Sequence, residues 1–107
     1  MKLIYVAGKY RAKTENEIFE NIIAARKIAR RLWEEGWAVI CPHANTMFMG
    51  GIADDSAFLE GDLEMIRRCD AIYMMNNWWE SVGATKELAL ARELKIQIIA
   101  NDPLGDL

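Results

Sequence analysis

The run Ser81-Val82-Gly83-Ala84-Thr85-Lys86-Glu87 opens a helical pattern on a glycine-containing turn and carries one carboxylate inside that helix. A helix start gathers oriented backbone N–H groups and about half a positive charge, so Ser81 and Gly83 read as a seat for a phosphate. At helical rise the backbone of Glu87 lies roughly 9 Å further along the axis, about the scale of a sugar phosphate. A phosphate anchor and a carboxylate at that separation would hold a nucleotide's sugar between them. A second candidate anion contact is Gly8-Lys9-Tyr10-Arg11, where glycine admits close backbone approach and Arg11 can fork onto a phosphate. Taken alone it is also an ordinary turn with solvated basic residues; beside Ser81 and Gly83 on one rim, the anion reading gains. The turn is neither GxGxxG nor GxxxxGK[ST], so the dinucleotide and P-loop readings lose their main support.

Asp62 and Glu87 are the candidate carboxylate pair, Glu87 by its place on the rim and Asp62 only by family resemblance. Most helical Asp and Glu face water, and that is the competing reading for both. Glycosidic chemistry needs two carboxyl groups, one to attack the anomeric carbon and one to give the leaving group a proton. Burial and mutual repulsion can separate their pKa values. Tyr5 can orient a nucleophile through its hydroxyl, although the residues alone favour a core tyrosine. His43, after Pro42 at a strand end, is either a structural hydrogen-bonding residue or a binding residue.

The elements that must position these groups follow from periodicity. Apolar, β-rich runs at Leu3 to Ala7, Trp37 to Cys41, Ala71 to Met75 and Ile96 to Ala100 predict four strands. Thr14 and Glu17 form a capping box, after which Ile18, Ile22, Ala25, Ala29 and Leu32 share a face until Gly36. A second helix starts near Asp55 or Ser56 and runs through Leu59, Leu63 and Ile66 to Arg68. A third runs from about Ser81 to Leu94, with Leu88, Ala91 and Leu94 as inward candidates. Strands alternating with helices predict a small doubly wound, flavodoxin- or Rossmann-like three-layer α/β domain with a parallel sheet of about four strands. Ligands bind such sheets beyond the carboxyl ends of the strands. Residues 8–11, 42–55 and 76–83 collect there. The loop from Asn45 to Gly51 reads as a lid over a base or as a surface packed on a neighbouring subunit. Trp78 and Trp79 read as a stacking platform or an interface, Asp70 as a structural cap, and the tail from Asn101 to Leu107 as a loose end or an oligomer contact.

Length fits a single domain: 107 residues suffice for one core. With 52% hydrophobic and 27% charged residues the composition is that of a soluble globular chain without a membrane span, expected in the cytoplasm. A net charge of −3 argues against polymeric nucleic acid as partner, though not against a small anion. Cys41 and Cys69 lack metal or disulfide spacing and read as buried thiols, and with one histidine in the chain no metal is expected.

Tyr5 to Arg11, Pro42-His43, Gly61-Asp62-Leu63-Glu64 with Cys69-Asp70, and Ser81-x-Gly83-x-x-x-Glu87 together resemble the nucleoside 2-deoxyribosyltransferase-like superfamily, in motif most similar to its 2'-deoxynucleoside 5'-phosphate N-hydrolases. The resemblance implies that Glu87 is the nucleophile that forms a deoxyribosyl ester, that Asp62 serves proton transfer to the departing base, and that Tyr5 positions the nucleophile. It places Gly8, Arg11, Ser81 and Gly83 at a 5'-phosphate. The branch acting on free nucleosides tends to carry an acid where this chain has Ser81, so serine favours a 5'-monophosphate with water as acceptor. The Gly-Lys-Tyr-Arg turn departs from the hydrolases' usual glycine-serine turn, which leaves the contacts of Lys9 and Tyr10 open. The expectation is an N-glycosidase without a cofactor, acting on a small nucleotide as a homodimer or higher oligomer. A deoxyribosyltransferase, a non-catalytic nucleotide-binding module and a structural oligomer are its rivals.

Overall fold

Five residues rich in β-branched and aromatic side chains, Leu3–Ala7, form β1 at the interior of a parallel sheet; in the computed structural model, residues 1–100 are described. Four of the five are buried because both faces of the strand are covered. The chain continues through α1 (Glu15–Glu34), β2 (Ala38–Ile40), the short α2 (Pro42–Asn45), α3 (Asp55–Ile66), β3 (Ala71–Met74), a 3-10 turn (Trp78–Glu80), α4 (Val82–Leu94) and β4 (Gln97–Ile99). The strand order is β2-β1-β3-β4 and every pairing is parallel, with Tyr5 opposite Ile40 on one side and Ile72 on the other. The expected doubly wound parallel sheet of four strands is therefore present.

Strand alternation divides the core into two layers. Ile4, Val6, Ala71, Tyr73 and Met75 pack with Ala25, Ile28 and Leu32 of α1. Tyr5, Ala7, Ile72 and Met74 pack on the opposite side with Ile66 of α3 and Ala84, Leu88 and Ala91 of α4. Thr14 caps α1, its side chain accepting from the Glu17 N–H at 3.1 Å. Gly36 turns the chain out of that helix at φ +99°, a conformation that favours glycine. Asp70 has the expected structural role: its Oδ2 accepts from the Leu3 N–H at 2.8 Å and its own N–H donates to the Leu3 carbonyl at 2.8 Å, tying β3 to the start of β1.

The structure departs from the sequence reading in particular places. The chain after β2 closes into a helical turn because Pro42 supplies a preset φ at a first helical position, where no N–H is required. Leu94 is 37% exposed rather than inward, on the last turn of α4. Cys69 is buried as expected, while Cys41 is only half-buried. The tail, a candidate oligomer contact, lies outside the described residues.

Because strand order reverses between β1 and β3, the loops leaving their carboxyl ends diverge and open a crevice between them. The Lys9 N–H nevertheless donates across that gap to Asn77 Oδ1 at 3.1 Å.

Candidate active site

Glu87 sits where a core residue would. On α4 it lies on the same stripe as Ala84, Leu88 and Ala91, all buried, so the helix that packs on the sheet carries a carboxyl group into the core. Its partner is there: Tyr5, fully buried on the β1 face that looks toward α3 and α4, donates its hydroxyl hydrogen to Glu87 Oε2. Asp62 lies four residues before buried Ile66 on α3, hence on the same inward face, half-buried and close enough for its charge to act on both Tyr5 and Glu87. Three elements thus converge two carboxyls on one phenol.

Their electrostatics follow from burial. Desolvation is the largest cause of the rise of Asp62 to about 6, opposed by hydrogen bonding to Tyr5. Desolvation likewise lifts Glu87 to about 8, with the Tyr5 hydrogen bond pulling it down and the Asp62 charge pushing it up. Tyr5 itself is raised well above the usual phenol range by burial and then by the two carboxylates, so it stays protonated. Near neutral pH the two carboxyls accordingly hold about one proton between them. A phenol has a single hydrogen to give. When Tyr5 donates to an ionised Glu87, its oxygen can receive a hydrogen only from a protonated Asp62; reversing both bonds exchanges the roles.

The rim residues lie on the loop that follows β1, on α2 and at the start of α4. Ser81 caps α4, its Oγ accepting from the Ala84 N–H at 3.1 Å, while the first N–H groups of a helix have no intrahelical acceptor. Gly83 is not demanded by the fold, since an added Cβ would meet only Ser81 Oγ at 3.8 Å and Leu59 Cδ1 at 3.9 Å. Gly8 is demanded: a Cβ there would lie 2.6 Å from Met75 Sδ and 2.9 Å from Met75 Cβ. His43 is buried beneath the loop, its Nε2–H donating to the Lys9 carbonyl at 3.0 Å, and burial lowers its pKa so that it is neutral. Tyr10 packs edge-on against that imidazole, 5.8 Å between centroids, and Asn21 Nδ2 donates to its carbonyl at 3.0 Å. Lys9 and Arg11 reach carboxylates: Lys9 Nζ is 3.6 Å from Glu80 Oε2 and Arg11 pairs with Asp55.

Of the residues singled out from sequence, buried Tyr5 and Glu87 meet, with half-buried Asp62 beside them. Gly8, Lys9, Tyr10, Arg11 and His43 form one loop and its support, and Ser81 and Gly83 start the helix that bears Glu87. Trp78 packs partly into the α3/α4 layer, and Trp79 is 60% exposed. Sequence reasoning missed Asn21, Asn77, Asp55 and Glu80. The rim position of Asn77, just beyond a strand end, was the signal for one of them. Among the described residues no three His, Cys, Asp or Glu side chains are grouped to hold a metal ion, and no helix is long and apolar enough to cross a membrane.

Fold and site together define a doubly wound α/β domain with a carboxylate pair beneath its switch point. The chain belongs to the DUF4406 family, described as a domain of unknown function, whose model matches residues 2–100. No curated protein matches the sequence. Among solved structures, a 2-deoxyribosyltransferase from the psychrotolerant bacterium Bacillus psychrosaccharolyticus is similar with a TM-score of 0.65 at 20% identity, over 92% of this chain and 70% of that one. A second, a 2-desoxiribosyltransferase from Leishmania mexicana, has a TM-score of 0.62 at 21% identity, over 94% of this chain and 63% of that one. The resemblance to the nucleoside 2-deoxyribosyltransferase-like superfamily is thus borne out in the fold.

Proposed function

We propose that the protein is an N-glycosidase that hydrolyses a 2'-deoxynucleoside 5'-monophosphate to a free base and deoxyribose 5-phosphate. The observation that carries this reading is the buried Tyr5 hydroxyl joined to Glu87, with Asp62 beside it. In the first step Glu87 passes its proton through the Tyr5 hydroxyl to Asp62, and the resulting carboxylate oxygen attacks C1' while the C1'–N bond breaks. Asp62 gives its proton to the departing nitrogen. Water then attacks C1', losing a proton to Asp62, and the ester bond to Glu87 breaks. Two displacements retain configuration at C1'. The phosphate sits at the α4 N-terminus beside Ser81 and Gly83, with Gly8, Lys9, Tyr10 and Arg11 along the facing loop. The seat on bare helix N–H groups favours a phosphate over a neutral hydroxyl.

Transfer of the deoxyribosyl group to a second base is the other reading, favoured by the two structural relatives, both 2-deoxyribosyltransferases. It shares the first step and differs in what attacks the ester. Base release followed by chromatography, across deoxy- and ribonucleoside monophosphates including 5-modified pyrimidines, tests both. Release lost in Glu87→Gln supports the glycosidase, and a new nucleoside formed on adding a competing base identifies the transferase. No release, with nucleotides still raising the melting temperature, would instead mean a binding module. We further propose a cytoplasmic homodimer, the commonest closed assembly, consistent with exposed Phe48, Ile52, Trp79 and Val82. A monomer mass at all concentrations would rule the dimer out.

A further inference from the structure

Both cations of the 8–11 loop already have anionic partners, at the leading ends of two different helices. Lys9 reaches Glu80, the residue immediately before the cap of α4. Arg11 reaches Asp55, the first residue of α3. These pairs are not what shapes the loop. Its backbone is fixed separately, by Asn77 on the Lys9 N–H, His43 on the Lys9 carbonyl and Asn21 on the Tyr10 carbonyl. The pairs are also weak partners: the side chains of Arg11 and Asp55 are 71% and 75% exposed, and exposed ion pairs contribute little to folding. What they do is keep two positive charges occupied. Beside them the surface lined by Lys9, Arg11, Ala12, Lys13 and Glu17 is open, which leaves the two side chains free to turn.

An incoming ligand must compete with Glu80 and Asp55 for those charges. A phosphate monoester is a dianion near neutral pH and offers several acceptor oxygens to a guanidinium fork, so it can displace a single exposed carboxylate. A hydroxyl cannot. We propose that Asp55 and Glu80 form an electrostatic latch that sets the affinity of this rim for phosphate monoesters, holding Arg11 and Lys9 until the phosphate takes them. This rests on the reading above, in which the ligand carries a 5'-phosphate. The two acids touch neither the sugar nor the reacting atoms; they act through Lys9 and Arg11.

The test is calorimetric titration of Asp55→Asn, Glu80→Gln and the double variant with deoxyribose 5-phosphate and, separately, 2-deoxyribose. Each single variant should bind the phosphate about threefold more tightly and the double variant about tenfold, the range expected for freeing one or two exposed pairs. Binding of 2-deoxyribose should not change. In turnover, KM for a nucleotide substrate should fall while kcat stays constant, a split that a merely structural role would not produce. Wild type that binds deoxyribose 5-phosphate, with variants binding it equally or more weakly, would overturn the latch and leave the phosphate reading intact. If neither wild type nor the double variant binds it, both fall.

Discussion

A carboxyl group raised by burial makes the folded state less stable as pH rises, and Glu87 allows that effect to be sized. The unfolded chain ionises this group near its ordinary value of 4.5, whereas the folded chain holds the proton to about 8. Below pH 4.5 both states carry the proton and Glu87 costs nothing by this route. Between 4.5 and 8 the unfolded state alone releases it, so folded stability falls by about 1.4 kcal/mol per pH unit. Above 8 the penalty is constant. Glu87 is 6% exposed, so little screening reduces it. From pH 5 to pH 7 the loss from this one residue is on the order of 3 kcal/mol. Glu87→Gln keeps the shape and can still accept from Tyr5 through its amide oxygen, but has no proton to lose. Urea unfolding of wild type and variant at pH 5 and pH 7 measures the difference. The variant should be the more stable at pH 7, by a margin that shrinks toward pH 5, while base release is abolished. A margin that is flat with pH, or a variant less stable than wild type at pH 7, would refute the account of a desolvated, functional carboxyl.

The singly protonated carboxyl pair is the reactive form, so kcat/KM should follow a bell in pH with limbs near the values of about 6 for Asp62 and about 8 for Glu87; Tyr5→Phe should lower the whole curve and displace its limbs, read from initial rates across pH 5 to 9. Gly8→Ala forces a methyl into Met75 and should destabilise by about 1–3 kcal/mol in urea unfolding. Ser81→Asp keeps a side-chain oxygen for the Ala84 N–H, so stability should hold within about 0.5 kcal/mol, but it sets a negative charge at the phosphate seat. Its KM for a nucleotide should rise with little change in kcat, and an unchanged KM would place the phosphate elsewhere.

How much of this was legible in the sequence depends on whether the controlling interaction is local. β1, α1 and the start of α4 follow from runs, caps and glycines within a few residues of each other. The spacing that buries Glu87 was also present, since Ala84, Leu88 and Ala91 flank it on one helical stripe. Asp62 shared a stripe with Leu59, Leu63 and Ile66, yet was singled out only through the family resemblance, because aspartate on a helix ordinarily faces water. The meeting of Tyr5 with Glu87 joins positions far apart in the chain, and strand order decides it; periodicity cannot. His43 reads the same way from sequence whether it faces a ligand or lies under a loop. The carbonyl of Lys9 settles its place in this structure.

The placement of the trio also bears on why this fold tolerates so costly a core. Two carboxyls and a phenol occupy the α3/α4 layer, where apolar side chains would pack with no desolvation penalty. The penalty is contained because the Tyr5 hydroxyl gives the pair a hydrogen-bond partner. It is carried by the neighbouring strands, in which Ile4, Val6, Ala7, Ile72 and Met74 are essentially removed from water. Replacing Asp62 with asparagine removes the charge that, after burial, raises Glu87, so the Glu87 contribution to the pH dependence of stability should weaken while base release is lost. If stability in Asp62→Asn responded to pH as in wild type, the two carboxyls would not be coupled. The shared proton on which the glycosidase reading depends would then have no basis.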